Sequence, residues 1–187
     1  MKIDLSSYNK ILDVGCGNNP LKEATHYCDA YLDNQSRGED LNKEVIGNKD
    51  FRVANLDEGL PYENKEFDWV HCSHVLEHVK DPIKACHELI RVSKAGYIET
   101  PTHLWEIMFG RKYHSWIVSK SENGLVFTKK TETNCPPNTI QGDWFFANSL
   151  EFRKMFERNV DLFYVRLLWK DRFSIEINSS SNGPIRI

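Results

Sequence analysis

The stretch that decides the fold is residues 11–20, Ile-Leu-Asp-Val-Gly-Cys-Gly-Asn-Asn-Pro. This apolar run, followed by Gly15 and Gly17, predicts a buried strand that ends in a glycine turn, where a backbone can approach a ligand closely. Asp13 places a carboxylate at the mouth of the turn, which suits a positively charged ligand better than a phosphate. Ordinary strand–loop turns also contain two such glycines, so this stretch alone leaves both interpretations open.

The composition of the chain indicates one globular domain. It has 187 residues, 40% hydrophobic and 27% charged, enough for a sizeable core. A net charge of -3 argues against a general electrostatic attraction to nucleic acid. Residues 1–10 lack the apolar core of a signal peptide, and no run approaches the roughly 18 apolar residues of a membrane helix. With five cysteines in no paired spacing, we expect a cytoplasmic protein that binds neither nucleic acid nor a membrane.

Apolar runs along the first half predict strands that alternate with helices or loops. The predicted strands comprise residues 11–14, 27–32, 51–54, 67–72 and 97–99. Asp81 and Pro82 predict the start of a helix, and Gly96 its end. Such an order favours a mainly parallel sheet that binds ligands beyond the carboxyl ends of its strands. The short connection after Gly17 leaves room only for a short first helix or none.

The second half has a different pattern. Asn123-Gly124 predicts a hairpin turn, and residues 149–158 predict a helix. Residues 162–178 predict a closing hairpin around Lys170-Asp171. We expect a single domain over residues 1–187, in which residues 101–147 form an insertion that recognises the substrate.

Four segments, taken in order, resemble the class I S-adenosylmethionine-dependent methyltransferases, and among them the methyltransferase type 11 group. These are residues 12–17, 32–33, 55–62 and 67–79, within a resemblance that covers roughly residues 11–102. It implies a Rossmann-like, doubly wound α/β sheet of seven strands, mostly parallel with a reversed last strand. The hairpin of residues 162–178 would supply the last two strands, and an inserted hairpin and loop would form a cap.

The resemblance also implies which residues bind S-adenosylmethionine. Asp13 and the backbone of Gly15, Cys16 and Gly17 would face the methionine part of the cofactor. Asp33 would accept hydrogen bonds from the ribose hydroxyls, as a carboxylate does in dinucleotide folds. Alone, Asp33 would be an ordinary turn residue.

The remaining cofactor contacts implied by the resemblance follow the third and fourth strands. Asn55, where the family often has Asp, would bind the adenine amine, and Leu56 would cover the adenine ring. Ser73 and His74 would lie beside the sulfonium. Asn19 stands where a third glycine is common, so we expect loop backbone and Asp13, more than a long helix, to hold the methionine end.

Methyl transfer to a hydroxyl requires a general base, and histidine suits that task near neutral pH. His103 follows the fifth strand, and His114 precedes the hairpin, so these two are the candidate bases. Either could instead be an ordinary loop histidine. His74 and His78, four residues apart, would share one face of a helix, but two ligands do not define a metal site, and we predict no metal.

The aromatic side chains of residues 101–147 either line an acceptor cleft or form an accessory core. They include Trp105, Phe109, Tyr113, Trp116, Phe127 and Trp144. The resemblance implies a methyltransferase that acts on an oxygen of a small acceptor, first a sugar or glycan precursor, then a natural-product or quinone-like hydroxyl, then nitrogen. The alternatives are a non-catalytic binding subunit of the same fold and a nicotinamide-dependent oxidoreductase, which Asp13 disfavours.

Overall fold

The structure, a computed structural model, describes residues 3–31, 41–135, 141–179 and 183–186. The chain divides into two compact units. Unit 1 comprises Met1–Leu76, Asp81–Ile98 and Leu168–Arg172, and unit 2 comprises Glu77–Lys80, Glu99–Leu167 and Phe173–Ile187. The described elements in chain order are β1 (Ile11–Val14), β2 (His26–Asp29), α1 (Lys43–Ile46), β3 (Asp50–Val53), β4 (Phe67–Ser73), α2 (Pro82–Val92), β5 (Ser93–Pro101), α3 (His103–Phe109), β6 (Trp116–Lys120), β7 (Gly124–Lys129), α4 (Gly142–Asn148), α5 (Leu150–Arg158), α6 (Val160–Phe163), β8 (Tyr164–Lys170), β9 (Ser174–Ser179) and β10 (Gly183–Arg186).

The central sheet has the strand order β3-β2-β1-β4-β5-β8. Strand β1 is buried along its whole length and pairs in parallel with β2 and β4 on either side. The chain order reverses its direction at β1, which is the point where open α/β sheets bind their ligands. The predicted α/β class with a mainly parallel sheet is therefore confirmed.

The last strand of this sheet runs against the others. The Asp171 N–H donates to the Lys94 carbonyl at 2.8 Å, and a Cβ on Gly96 would meet the Trp169 ring at 2.9 Å. From Lys94 to Gly96 the residue number rises along β5, while that of the neighbouring residue falls from 171 to 169. Strands β5 and β8 are therefore antiparallel. The reversed last strand is thus present, but the sheet has six described strands rather than seven.

The prediction that the hairpin of residues 162–178 closes the central sheet is wrong. Strand β8 joins that sheet, but β9 pairs in parallel with β7 and antiparallel with β10. Apolar and polar residues alternate along much of the predicted hairpin, and such alternation does not determine which sheet a strand joins.

A second sheet of four strands, in the order β10-β9-β7-β6, contains the predicted hairpin. Strands β6 and β7 are antiparallel, and the Ser121 N–H donates to the Gly124 carbonyl at 2.9 Å across the turn. Gly124 also lies against the Ser174 backbone of β9, where a Cβ would collide with the Ser174 carbonyl. Asn123-Gly124 was therefore interpreted correctly as a turn.

The start of helix α2 was predicted correctly, but its end was not. Asp81 caps α2 through bonds from the Ile83 and Lys84 N–H groups, at 3.0 and 3.1 Å. The helix ends at Val92, not at Gly96, which lies inside β5. A Cβ on Gly96 would lie 2.6 Å from the Val70 carbonyl oxygen, so close strand packing requires this glycine.

Helices in the second half follow the prediction in part. Helix α5 begins after Ser149, whose side chain accepts from the Phe152 N–H at 3.1 Å. Helices α4 and α6 were not predicted. Residues 15–25, all of which are described, contain no helix, as the short first connection predicted. Across the described part of the chain, no helix has the length and apolar character needed to span a membrane.

Candidate functional site

The glycine turn after β1 uses its own amide groups inside unit 1. Gly15 and Gly17 adopt left-handed backbone conformations, with φ of 69° and 54°. The N–H groups of Gly15 and Cys16 both donate to the Cys28 carbonyl, at 2.8 and 3.3 Å, and the Gly17 N–H donates to Asp29 at 3.1 Å. A phosphate cradle presents free N–H groups to its ligand. This turn instead combines used donors with carboxylates, an arrangement that suits a cation.

Two buried carboxylates bracket the turn. Asp13 is 3% and Asp29 2% exposed. Asp13 accepts from the Leu21 N–H at 2.7 Å, so it holds the far end of the loop that starts at Gly15. Burial raises the pKa of Asp13 to about 7, against the hydrogen bond from Leu21 and with a further contribution from the Asp29 charge. A bound cation would favour the ionised form of Asp13 and relieve this cost.

Sequence reasoning missed Asp29. It is the last residue of β2, at the carboxyl end of the strand beside β1, and its second oxygen accepts from the Tyr31 N–H at 3.1 Å. The sequence did contain a signal for Asp29, because it is a carboxylate at the end of an otherwise apolar strand. Charged groups are rarely buried unless they are paired. Asp33, the predicted ribose ligand, lies outside the described residues.

The residues predicted to contact the adenine and the sulfonium lie at or just after the ends of β3 and β4. Asn55 accepts from the Asp57 N–H through its side chain at 3.0 Å, which makes it a turn residue. Leu56 is buried. Ser73 ends β4, and exposed His74 has a positive φ of 58° in the turn that follows, so residues 74–78 form a turn and not a helix. Their roles toward the cofactor remain predictions.

A polar cluster in unit 2 surrounds His114. Its Nδ1 contacts the Glu106 carboxylate, and the other oxygen of Glu106 contacts the Lys130 ammonium. Glu106 has no exposed surface and His114 is 7% exposed. Burial acts to raise the pKa of Glu106, but the bonds from His114 and Lys130 outweigh it and leave the pKa below its ordinary value. Glu106 and Lys130 had no signal in the sequence, because residues distant along the chain supply each partner.

The turn of residues 77–79 lies against the same histidine. The Ser115 and Trp116 N–H groups donate to the Glu77 carbonyl, at 2.7 and 3.2 Å, and the Trp116 indole N–H donates to the Val79 carbonyl at 2.8 Å. These bonds place the His78 ring edge-on to the His114 ring, with centroids 4.6 Å apart. The two histidines therefore belong to one cluster.

The other predicted base, His103, lies in a different environment. It is the first residue of α3 and exposed, and its Nε2 lies 2.6 Å from the Asn134 carbonyl oxygen, to which it donates. The aromatic side chains of residues 101–147 differ in their exposure. Phe109, Trp116 and Phe127 are buried, as in an accessory core, whereas Tyr113 and Trp144 are 65% and 56% exposed.

Comparison with known proteins identifies the region that holds the glycine turn. Residues 12–98 match the family model described as a methyltransferase domain. This match agrees with the class I S-adenosylmethionine-dependent methyltransferases that the sequence resembles. The fold agrees, since the matched residues contain β1 to β4, α2 and most of β5. The cofactor of this class is S-adenosylmethionine, as the resemblance predicted.

Relatives of the methyltransferase region are similar over about half of this chain. An uncharacterized methyltransferase of Schizosaccharomyces pombe is 32% identical over 104 residues, which is 47% of this chain and 37% of that protein. A ubiquinone biosynthesis O-methyltransferase of Aromatoleum aromaticum is 31% identical over 105 residues, 49% of this chain and 43% of that protein. The chain thus spans less than half the length of these curated relatives.

A solved structure shares the fold over most of the chain. It is the complex between the Haloferax volcanii Trm112 methyltransferase activator and the putative methyltransferase, with a TM-score of 0.52 and 12% identity over 88% of this chain and 83% of that chain. At this identity the likeness shows the fold alone.

The donor set of the methyltransferase region fits its cofactor. S-adenosylmethionine carries positive charge on its ammonium and sulfonium groups, and the turn presents buried Asp13 and Asp29 with amides already used. Asp13 and the turn would hold the methionine end, and the carboxyl ends of β2 and β3 would hold the adenosine. When bound, this cofactor supplies an activated methyl group.

Proposed function

We propose that this chain transfers a methyl group from S-adenosylmethionine to a hydroxyl of a small acceptor. The observation that carries the proposal is the acidic glycine turn at the point where the strand order reverses, inside the region that matches the methyltransferase family. A turn whose N–H groups are used by Cys28 and Asp29 suits the cationic methionine end better than a pyrophosphate. This also disfavours the nicotinamide-dependent alternative.

Oxygen is the proposed acceptor atom because the curated relatives include ubiquinone biosynthesis O-methyltransferases. Those names favour a quinone-like hydroxyl, and the predicted sugar or glycan acceptor gains no support from the comparisons. Exposed Tyr113 and Trp144 are suited to stack on a planar ring.

Of the two predicted bases, His114 has the more suitable surroundings. The Nδ1–H of His114 donates to the Glu106 carboxylate, which leaves the Nε2 lone pair of His114 as a proton acceptor. His103 instead uses its Nε2 to donate to Asn134. Turnover of His103→Ala and His114→Ala tests the assignment. If both variants keep near wild-type turnover, neither histidine is the base.

Calorimetric titration with S-adenosylhomocysteine tests the cofactor proposal directly. We expect saturable binding by the full chain, weaker binding by Asp13→Asn, and no binding of NAD⁺. Absence of heat and of any thermal shift with S-adenosylhomocysteine would overturn the proposal. Methyl transfer from labelled S-adenosylmethionine to quinol and sugar panels then identifies the acceptor, and binding without turnover on any hydroxyl would favour the non-catalytic alternative.

A further inference from the structure

The cluster around His114 contains three side chains that can ligate one metal ion. The carboxylate of Glu77 and the imidazoles of His78 and His114 place one ligand atom each within 4.8 Å of the other two. All three belong to unit 2. We infer that Glu77, His78 and His114 form a binding site for one divalent transition-metal ion, with Zn²⁺ as the best match.

The donor set selects the class of ion. Two imidazole nitrogens and one carboxylate oxygen suit Zn²⁺ and its neighbours in the transition series, whereas Mg²⁺ and Ca²⁺ prefer oxygen ligands alone. Three protein ligands also leave a fourth tetrahedral position open for water or a hydroxyl. The predicted absence of a metal rested on the pair His74 and His78 and on the lack of a convincingly spaced acidic or thiol ligand. Nothing in the sequence relates His114 to that pair.

The hydrogen bonds of His114 prepare it as a ligand. Its Nδ1 contacts Glu106, so in the neutral ring the proton lies on Nδ1 and the Nε2 lone pair is available. Metal-binding histidines in proteins are commonly oriented by a carboxylate in this way. Lys130 holds the other oxygen of Glu106, and the Trp105 ring stacks on His114 with centroids 5.5 Å apart. The ring therefore keeps its orientation without an ion.

The other two ligands come from a turn fixed by backbone bonds. The Glu77 carbonyl accepts from the N–H groups of Ser115 and Trp116, next to His114 in sequence. The Nε2 of His78 lies 3.9 Å from a Glu77 oxygen, which is too long for a hydrogen bond. Bonds of about 2.0–2.1 Å to Zn²⁺ would bring such a pair to roughly 3.4 Å. His78 is 39% exposed and can make this small movement.

Charge in the cluster favours a dication. Glu77 and Glu106 are both buried, and the Lys130 ammonium contacts Glu106. A bound dication would lower the cost of burying Glu77.

A metal ion at this site would also affect the proposed methyl transfer. This effect rests on the proposed function, whereas the metal site itself does not. An ion on Nε2 occupies the lone pair that His114 would use as a base. In the ion-bound form, a hydroxyl in the open position would lose its proton more easily because the ion lowers its pKa. An acceptor hydroxyl bound in the open position would release its proton to solvent water, while His114 would act as a ligand and not as the base.

The test is calorimetric titration of the full chain with Zn²⁺, alongside the visible spectrum of the Co²⁺-substituted protein. We expect one Zn²⁺ per chain, and an affinity reduced at least about tenfold in His78→Ala and in Glu77→Gln, since even partners outside the ligand set cost tenfold to a hundredfold. His87→Ala, an exposed histidine on α2, is the matched control and should bind Zn²⁺ as the wild type does. Mg²⁺ should not compete.

Circular dichroism establishes that each variant is folded, and the exposed His78 makes His78→Ala the safer substitution. Absence of Zn²⁺ and Co²⁺ binding by the wild type, or equal affinity in both ligand variants and the wild type, would overturn the inference. Titration of the same wild-type preparation with S-adenosylhomocysteine separates the two proposals, because loss of zinc binding beside intact S-adenosylhomocysteine binding rejects only the metal site.

Discussion

Both units bury carboxylates, but they stabilise them in opposite ways. In unit 1, Asp13 receives one backbone N–H and has the carboxylate of Asp29 as a neighbour, and its pKa is raised to about 7. In unit 2, Glu106 contacts His114 and the Lys130 ammonium, and its pKa is lowered. Burial acts to raise the pKa in both places, so the partners decide the sign. A single backbone N–H does not offset burial at Asp13, whereas the side-chain hydrogen bonds from His114 and Lys130 do so at Glu106.

The two regions also depend on different parts of the chain. Backbone conformation and amide bonds build the turn at Gly15 in unit 1. Side chains from α3, from the segment before β6 and from the residue after β7 build the cluster in unit 2. Substitutions can therefore separate the effects of charge, protonation and backbone geometry.

The largest expected effect comes from removing the charge that stabilises Glu106. Lys130→Met should lower the free energy of unfolding by about 3–5 kcal/mol, because it leaves a buried carboxylate without its ammonium partner. Lys129→Met is the matched control, since Lys129 is exposed and only overlies the Trp116 ring, and should cost less than about 1 kcal/mol. Urea unfolding of both variants provides the measurement. Equal losses would show that burial of the ion pair has no special importance.

The next effect concerns protonation of Asp13. A carboxyl whose pKa is raised on folding stabilises the fold below its unfolded pKa near 3.8, and that contribution is lost as the pH rises through about 7. The loss for the ligand-free protein is up to about 4 kcal/mol between pH 4 and 8. Asp13→Asn keeps an acceptor for the Leu21 N–H and should remove this part of the pH dependence.

Urea unfolding at several pH values between 5 and 8 compares Asp13→Asn with the wild type. Glu157→Gln, at an exposed position on α5, makes the same change of charge without burial and is the control. Wild-type and Asp13→Asn curves that stay parallel across this range would contradict the assignment.

A smaller effect is expected at the backbone of the turn. Gly15 has φ of 69°, and a Cβ there would collide with Val75. Gly15→Ala should cost about 3 kcal/mol, from the left-handed conformation and overpacking together. Gly47 has a similar φ of 56°, but its nearest neighbour would be 4.0 Å from a Cβ.

Gly47→Ala therefore isolates the conformational part, about 1–2 kcal/mol. Thermal unfolding of the two variants measures the difference, which reports the close packing of Val75 on the turn. If Gly47→Ala is as costly as Gly15→Ala, crowding at the turn is unimportant.

The sequence by itself determined the features with local causes. Strand β1 has its predicted bounds, Asp81 caps α2, and Asn123-Gly124 forms the hairpin turn. Each depends on residues within a few positions of one another, through burial, capping or a turn with a special φ. The resemblance of four sequence segments to a known family also predicted the methyltransferase fold and its cofactor.

Only the tertiary structure decided the features whose partners are distant in the chain. Strand β9 joined the second sheet, and Gly96 became part of β5 because Val70 and Trp169 pack against it. The contacts of Glu106 span 8 residues to His114 and 24 to Lys130. A carboxylate on a helix has the same local pattern whether it is solvated or paired in a core. Its burial, its pKa and its role in orienting His114 therefore depend on which elements the fold brings against it.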